Sequence, residues 1–290
     1  MNDLSVSTAS PIMSKEIFER LRQTRAFVFD MDGTMVLGDQ KNKGLQPIPG
    51  AIELTELLAS REIPFLFFTN GTTRTPEHYA DTVRKLGFHL PEGALMTPVS
   101  SAVDLFVRKG YQRVMVLGGD GLKKPLEAAG IEIVPDHGRQ QADAVLVGWY
   151  RECTMENLEA ACHAVWAGAQ FYTSSQAVFF ATAQGRALGT SRAIAAMVKD
   201  LTGCRVHLVG KPSIHALSSA ASRLGVRLKD MAVVGDDPDL EMSMAHRGKS
   251  LAVAVTTGLT DAQTFAQLPE KRRPHLILSG VEQLHGLLKS

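Results

Sequence analysis

The feature that most constrains this chain is an apolar run that ends in two acids. Ala26-Phe27-Val28-Phe29 has the length and composition of a buried strand, and Asp30-Met31-Asp32-Gly33-Thr34 follows it directly. The Gly-Thr pair after the second acid predicts a sharp turn where the strand ends. Ligands of open α/β sheets bind at the carboxyl ends of the strands, so this stretch predicts such a sheet with a functional carboxylate at its edge.

Asp30 and Asp32 are spaced so that both side chains point to the same side of an extended chain. Two carboxylates held this close repel each other unless a cation or a shared proton lies between them. The same residues also fit a strand that simply ends in an Asp-Gly turn. Paired acids at the end of an apolar strand favour the functional interpretation.

Composition limits the choices further. The 290 residues, 44% of them hydrophobic, can bury a large core, and this length favours two domains. A net charge of +1 gives no reason to expect a nucleic acid or membrane partner, and no apolar run approaches the ~20 residues that span a bilayer. Cys153, Cys162 and Cys204 form no Cys-x-x-Cys pair, which predicts buried free thiols in a reducing cytoplasm.

Further apolar strands also end in residues that can do chemistry. They lead to Thr69-Asn70-Gly71, to Lys211, and to Asp236 with Asp237 and Glu241. We expect these residues to meet Asp30 and Asp32, because the carboxyl ends of parallel strands lie on one edge of a sheet. Several carboxylates around one point suit Mg²⁺, which prefers oxygen ligands and keeps some of its waters.

Such a set of residues can transfer a phosphoryl group. Mg²⁺ and Lys211 would balance the charge of a phosphate dianion, while the Thr69 hydroxyl and the amides after Asp30 would donate to its oxygens. One carboxylate could attack phosphorus, which divides the transfer to water into two easier steps. A second acid two residues further on could protonate the leaving oxygen and then activate water.

These motifs resemble those of the haloacid dehalogenase superfamily, and within it the subclass IIA phosphatases of the NagD, pyridoxal phosphatase and 4-nitrophenyl phosphatase types. The resemblance covers about residues 25–260. Four motifs support it, in the order of the family: Phe29-Asp30-Met31-Asp32-Gly33-Thr34, Phe68-Thr69-Asn70-Gly71, Val209-Gly210-Lys211-Pro212 and Val234-Gly235-Asp236. The first motif is strongly specific for the family. The other three are weak on their own, and their occurrence in the family's order supports the resemblance.

The resemblance implies a role for each matching residue. In chain order it implies Asp30 as the nucleophile, Asp32 as the acid/base, Thr69, Asn70 and Gly71 as phosphate-binding residues, and Lys211 as the cation that neutralises phosphate. It also implies Mg²⁺ held by the Asp30 carboxylate, the Asp32 backbone carbonyl and the Asp236 carboxylate. The expected function is hydrolysis of a small phosphorylated metabolite through an aspartyl-phosphate on Asp30.

One position of the site departs from the family pattern. Glu241 stands where the fourth motif usually continues to a second Asp. With one more methylene, Glu241 could hold a metal-bound water or orient Lys211, and Asp237 could substitute for it.

The spacing of the motifs predicts where a lid domain is inserted. About 40 residues separate Asp30 from Thr69, enough for a turn, a flap and one helix, whereas about 140 separate Asn70 from Lys211, enough for a small domain. We therefore expect residues 99–205 to form an α/β cap of the family's C2 type. Residues 1–98, with an N-terminal extension, and 206–290 would form the Rossmann-like core. Such a lid would exclude water during chemistry and shape the substrate pocket.

Two cap segments bear on the substrate. Tyr172-Thr173-Ser174-Ser175-Gln176 replaces a usual Ala-Thr-Asn-x-Asp, and Trp149-Tyr150 stands where an Asp is common. The aromatic pair could stack on a ring of the substrate or pack between cap and core. Gly118-Gly119-Asp120-Gly121 matches no phosphate loop and predicts a joint between strand and helix. The physiological substrate does not follow from these residues, and a homo-oligomer formed through the cap also stays open.

Three other functions can use the same fold. Dehalogenation needs no acid for an alkoxide leaving group, so Asp32 argues against it. Phosphotransferases of the mutase kind commonly carry their cap between the first two motifs. A non-catalytic protein that binds a phosphorylated metabolite is supported only by Glu241, and intact Asp30, Lys211 and Asp236 argue against it.

Overall fold

The computed structural model describes residues 14–38, 44–182 and 185–290. Its strands are β1 (Ala26–Asp30), β2 (Val36–Gly38), β3 (Leu45–Pro47), β4 (Phe65–Phe68), β5 (Leu95–Met96), β6 (Arg113–Leu117), β7 (Glu132–Val134), β8 (Ala144–Val147), β9 (Gln170–Thr173), β10 (Phe179–Thr182), β11 (Gly185–Leu188), β12 (Val206–Leu208), β13 (Met231–Gly235), β14 (Leu251–Val255) and β15 (Leu276–Leu278). Its helices are α1 (Lys15–Arg22), α2 (Ala51–Ser60), α3 (Pro76–Lys85), α4 (Pro98–Lys109), α5 (Asp120–Ala128), α6 (Met155–Trp166), α7 (Thr190–Thr202), α8 (Ile214–Leu224), α9 (Ser243–Gly248), α10 (Ala262–Gln267) and α11 (Val281–Lys289). A π-helical turn covers Pro238–Met242. Among these elements, no helix combines the length and the apolar character that a membrane crossing requires.

The larger of two parallel sheets has the strand order β15-β14-β13-β1-β4-β5. On one side of β1 lie β4 and β5, which follow it in the sequence. On the other side lie β13, β14 and β15, which come from the C-terminal part of the chain. The strand order therefore reverses beside β1, which is where open α/β sheets form their ligand crevice. The α/β fold class predicted from the sequence is confirmed.

The centre of this sheet is apolar along whole strands. β1, β4, β13 and β14 are buried at every residue, as expected for parallel strands that are covered on both faces. The ring of Phe29 stacks on Phe27 at 5.7 Å and meets Phe67 edge-on at 6.1 Å between ring centroids. This close packing holds the end of β1, and with it Asp30, in a defined position.

The second sheet has the strand order β12-β9-β8-β6-β7 and is also parallel. Successive side chains of its strands point to opposite faces and enter two different cores. Met115 and Leu117 pack with α6 and α7, whereas Val114 and Val116 pack with α4 and α5. This sheet therefore has helices on both faces, as expected for an inserted α/β cap.

One predicted boundary differs from the observed pairing. The sequence assigns residue 206 onward to the second part of the core, but β12 pairs with β9 of the second sheet, with Val206 opposite Phe171. The apolar run leads directly to Lys211, which favoured a strand of the first sheet. The other boundary, between residues 98 and 99, falls at the start of α4, whose buried side chains pack on the second sheet. The exact division into core and cap stays a prediction.

His275, directly before β15, gives the fold a predicted sensitivity to acid. Its Nδ1 accepts the backbone N–H of Ala252 at 2.9 Å. Burial, and then the nearby Arg20 and His246, lower the pKa of this imidazole from 6.5 to about 4. The unfolded chain therefore takes up the proton first, and stability is lost as the pH falls from about 6.5 to about 4. Because the ring is only partly buried and solvent screens its charge, we expect urea unfolding to show a loss of roughly 1–2 kcal/mol over that window.

Two variants isolate this effect from the other titrating groups. His275→Gln should flatten the pH dependence of unfolding, because glutamine does not titrate. His78→Gln, at an exposed position of α3, should leave it as in the wild type. If the His275 variant lost as much stability in acid as the wild type, another group would be responsible.

Candidate active site

Three of the predicted site residues follow neighbouring strands of the first sheet. Asp30 is the last residue of β1, Thr69 comes directly after β4, and Asp236 comes directly after β13. Because β4, β1 and β13 are adjacent and parallel, these residues lie on one edge of the sheet. All three are buried at this edge, and we call the site that they form the recess.

The turn after β1 brings its backbone against Asp236. Gly33 has a φ of +86°, which favours glycine, and its N–H donates to the carbonyl of Val36 at 2.8 Å. A Cβ on Gly33 would lie 2.7 Å from Oδ2 of Asp236, which is too close for a side chain. The glycine after the paired acids is therefore required by the turn and by the close approach of two strand ends.

The segment after β14 completes this edge, although it belongs to none of the four sequence motifs. The N–H of Leu259 donates to Oδ2 of Asp236 at 3.0 Å, and the hydroxyl of Thr257 donates to the carbonyl of Gly33 at 2.6 Å. Gly258 lies directly against the same Asp236 carboxylate. The signal that points to this segment is a Thr-Thr-Gly run immediately after a buried strand.

Lys211 reaches this edge from the other sheet. The sequence predicts that it ends a strand of the same sheet as Asp30, but it follows β12 of the second sheet, where the chain returns to the core. Its side chain is 3% exposed. Its ammonium forms an ion pair with Asp30 and contacts Oε1 of Glu241 at 2.6 Å. One cation therefore joins the end of β1 to the π-helical turn after β13.

Asn70 holds the backbone of Lys211. Its Oδ1 accepts the N–H of Lys211 at 2.8 Å, and its Nδ2 donates to the carbonyl of the same residue at 3.2 Å. This backbone engages the amide group of Asn70, and the phosphate contact that the resemblance implies for Asn70 stays a prediction. A Cβ on Gly210 would lie 2.6 Å from Oδ1 of Asn70, so the glycine before the lysine allows the two segments to approach.

Thr69 connects the remaining predicted residues. Its hydroxyl donates to Oδ2 of Asp32 at 3.3 Å and accepts the N–H of Gly71 at 3.1 Å. Asp32 is exposed, unlike Asp30, and therefore lies at the mouth of the recess. This position gives Asp32 access to water for proton exchange.

Three carboxylates of the site are close enough to share a cation. Ligand oxygens of Asp30, Asp236 and Glu241 lie within 4.8 Å of one another. Three such oxygens fit a hard divalent cation such as Mg²⁺, which completes its coordination with water. The structure therefore groups Glu241 with the metal donors, where the sequence suggests only a supporting role. The predicted contribution of the Asp32 carbonyl stays a prediction.

Asp237 has a different role in the fold. Its Oδ1 accepts the N–H groups of Asp239 and Leu240 at 2.7 and 3.1 Å, so its carboxylate caps the π-helical turn. Its own N–H donates to Oε2 of Glu241 at 3.2 Å. A Cβ on Gly235 would lie 2.6 Å from the Cβ of Glu241, so this glycine lets Glu241 fold back over the end of β13.

The crowded acids have raised pKa values. Loss of part of the water around each carboxyl, and then the charge of Asp30, raise the pKa of Asp236 in the recess and that of Asp32 at its mouth to about 6. Burial by itself lowers the pKa of Lys211, but the Asp30 and Glu241 carboxylates raise it above its ordinary value, so the ammonium stays charged. Burial raises the pKa of Glu241 against the opposing effect of Lys211. The single positive charge of Lys211 does not neutralise these acids. A bound divalent cation would balance the remaining negative charge.

Trp149 and Tyr150 lie on the cap beside a cavity of about 670 Å³. The hydroxyl of Tyr150 donates to Oδ2 of Asp136 at 3.3 Å, within the cap. The N–H of Trp149 donates to the hydroxyl oxygen of Thr72 at 2.9 Å, between cap and core. Contact of either ring with a substrate stays a prediction.

Two models of known protein families match the two parts of the chain that supply this site. A family model described as haloacid dehalogenase-like hydrolase matches residues 27–132, and a second, described as HAD-hydrolase-like, matches residues 208–284. The first match contains Asp30, Asp32 and Thr69, and the second contains Lys211 and Asp236. The chain belongs to the haloacid dehalogenase superfamily. Most of the second sheet lies between the two matched ranges.

Individual members of the superfamily resemble the chain over most of its length. The acid sugar phosphatase of Staphylococcus haemolyticus is 29% identical over 252 residues, 87% of this chain and 91% of that protein. The 5′-nucleotidase YutF of Bacillus subtilis is 27% identical over 254 residues, 87% of this chain and 94% of that protein. A 4-nitrophenylphosphatase structure from Thermotoga maritima superposes with a TM-score of 0.82 at 24% identity, covering 93% of this chain and 99% of that one. The subclass IIA resemblance predicted from the sequence is confirmed.

Proposed function

We propose that this superfamily member is a Mg²⁺-dependent phosphatase that hydrolyses a small phosphomonoester through an aspartyl-phosphate on Asp30. Its broader class, phosphomonoester hydrolase, follows from the named relatives. The observation that carries the finer proposal is the buried lysine between two buried carboxylates, Lys211 with Asp30 and Glu241, beside Asp236. The names of the relatives favour a sugar phosphate or a nucleoside monophosphate as substrate.

In the proposed reaction, Asp30 and Asp32 act in two steps. As an oxygen of Asp30 bonds to phosphorus, the bond to the leaving group breaks and Asp32 gives its proton to the leaving oxygen. Asp32 then takes a proton from water, whose oxygen bonds to phosphorus and releases Asp30 and inorganic phosphate. A pKa of about 6 for Asp32 suits proton transfer in both directions near neutral pH.

Charge neutralisation in this reaction comes from the other site residues. The ammonium of Lys211 lies beside Asp30, where it can attract the phosphoryl oxygens as well. The hydroxyl of Thr69 is the proposed donor to a further phosphoryl oxygen. Asp30, Asp236 and Glu241 would hold Mg²⁺, which supplies additional positive charge beside the phosphate when bound.

Removal of Mg²⁺ is expected to stop turnover. Wild-type protein with Mg²⁺ should release phosphate from 4-nitrophenyl phosphate, and chelation should lower the rate by at least about 100-fold, because the carboxylates then repel the substrate. Calorimetric titration should show Mg²⁺ binding that Asp236→Asn weakens by at least about tenfold. Asp237→Asn is the matched control and should weaken it far less, since that carboxylate caps a turn.

Two results would contradict the metal proposal. Equal Mg²⁺ affinity in the wild type and both variants would remove Asp236 from the donor set. Full turnover after chelation would contradict the need for a divalent cation.

A cytoplasmic location and a homo-oligomer formed through the cap remain part of the proposal. The three cysteines are free thiols, which supports a reducing compartment. Large apolar side chains exposed on the cap, among them Met155, Leu188 and Met197, form a surface that a second copy could cover. Light scattering of the purified protein measures whether such an oligomer forms.

A further inference from the structure

The cap also touches the core at a point away from its covalent connections. The chain passes between the sheets near residues 97–98 and again near 209–210. One such contact is made by residues 72–74, which directly follow the Thr69-Asn70-Gly71 motif. We call residues 72–74 the docking segment.

Two cap turns hold the docking segment. After β8, the N–H of Trp149 donates to the hydroxyl oxygen of Thr72 at 2.9 Å. In the first turn of α5, a Cβ on Gly121 would lie 2.7 Å from both the N and the carbonyl O of Arg74. A Cβ on Gly148 would lie 3.1 Å from the Thr72 hydroxyl oxygen. Glycine at both turns therefore lets the cap backbone approach the core backbone.

The core holds the same segment from the other side. The hydroxyl groups of Tyr79, on α3, and Thr73 form a hydrogen bond of 3.1 Å. A Cβ on Gly71 would lie 2.6 Å from the Tyr79 hydroxyl oxygen, so this ring packs directly on the glycine. The N–H of Gly71 in turn donates to the Thr69 hydroxyl. A chain of contacts therefore runs from the cap through the docking segment to the proposed phosphate-binding residue.

We propose that Thr72 is a positioning residue whose bond to the cap sets the position of residues 69–71. The inference rests on the proposed function, since it takes Thr69 as a phosphate-binding residue. Thr72 is 3% exposed, so loss of its hydroxyl would leave the N–H of Trp149 without this acceptor at a buried contact. The fraction of molecules with a seated cap then falls, and the apparent affinity for phosphate falls with it.

Thr72→Val keeps the shape of the side chain and removes the acceptor. We expect the KM for 4-nitrophenyl phosphate and the inhibition constant of inorganic phosphate to rise about tenfold, with kcat changed less than about threefold. Thr72→Ser keeps the hydroxyl and should restore both constants. Thr82→Val is the matched control, because the Thr82 hydroxyl donates to the His78 carbonyl at 2.9 Å within α3. Unchanged constants in Thr72→Val, or the same loss in Thr72→Ser, would overturn the proposal.

Amide hydrogen exchange distinguishes failure of this inference from failure of the proposed function. In Thr72→Val, residues 148–150 and residues 69–71 should both exchange about tenfold faster than in the wild type, whereas Thr82→Val should leave both unchanged. Faster exchange at residues 148–150 alone would overturn the coupling. A wild-type protein without phosphatase activity would refute the proposed function, and the exchange rates would still decide whether Thr72 couples the two segments.

Discussion

Asp30→Asn is expected to lower phosphate release by at least about 10⁴-fold, because an amide oxygen is a poor nucleophile and carries no charge. Asp30 is the buried end of β1, and its neighbours are already engaged in other contacts. Asp32 lies at the mouth of the recess and accepts a hydrogen bond from Thr69, while Asp236 accepts one from the N–H of Leu259. Neither carboxylate occupies the position from which Asp30 would attack.

Two measurements separate loss of chemistry from loss of fold in this variant. Acid-quenched wild-type protein should carry phosphate that hydroxylamine releases, as an acyl phosphate does, and Asp30→Asn should carry none. Its melting temperature should stay within about 5 °C of the wild type, since asparagine keeps the shape of the side chain. Asp136→Asn, a cap carboxylate outside the recess, should keep both turnover and label. Turnover above about 1% in Asp30→Asn would contradict its role as nucleophile.

The parts of the site that the sequence predicts are those whose signal is local. An apolar run followed by acids identifies β1 and the position of Asp30 at its end. Parallel sheet geometry then brings the residues after β1, β4 and β13 together, since these strands are neighbours. Helix α4 also has a local signal in the sequence. Thr97 and Pro98 begin it, and Gly110 ends it with a φ of +71°.

The parts that the sequence did not predict depend on distant partners. β12 is half-buried and could pair in either sheet, so the origin of Lys211 is decided by tertiary structure. The amide of Asn70 bonds to a residue 141 positions away, and no local pattern distinguishes that use from a phosphate contact. The different roles of Asp237 and Glu241 depend on the π-helical turn. It directs the carboxylate of Asp237 to backbone N–H groups and that of Glu241 to Lys211.

Lys211→Met is expected to reduce both turnover and stability. Methionine has a similar length but leaves the buried carboxylates of Asp30 and Glu241 without their cation. We expect phosphate release to fall by about 10³-fold. Without Mg²⁺, the free energy of unfolding at pH 8 should fall by about 3–5 kcal/mol, as for other buried ion pairs that lose one partner.

The pH dependence of this loss follows from Glu241. Its pKa in the folded protein is already above the ordinary 4.5, and loss of the opposing lysine charge raises it further. The folded variant therefore holds a proton that the unfolded chain releases, and its stability falls as the pH rises above about 4.5. The difference between Lys211→Met and the wild type should accordingly shrink as the pH is lowered from 8 to 5. Mg²⁺ should restore part of the lost stability if it binds the same carboxylates.

The double variant Lys211→Met/Glu241→Gln separates stability from catalysis. Neutral side chains of similar size then replace a buried ion pair, a change that is often neutral for folding. We therefore expect it to regain part of the stability lost by Lys211→Met, since Asp30 still lacks its cation, while turnover stays low because the positive charge beside Asp30 is missing. Lys124→Met removes an exposed pair with Asp120 at 2.9 Å and should change stability by less than about 1 kcal/mol. A double variant as unstable as the single one would show that neutralising Glu241 is not how Lys211 stabilises the fold.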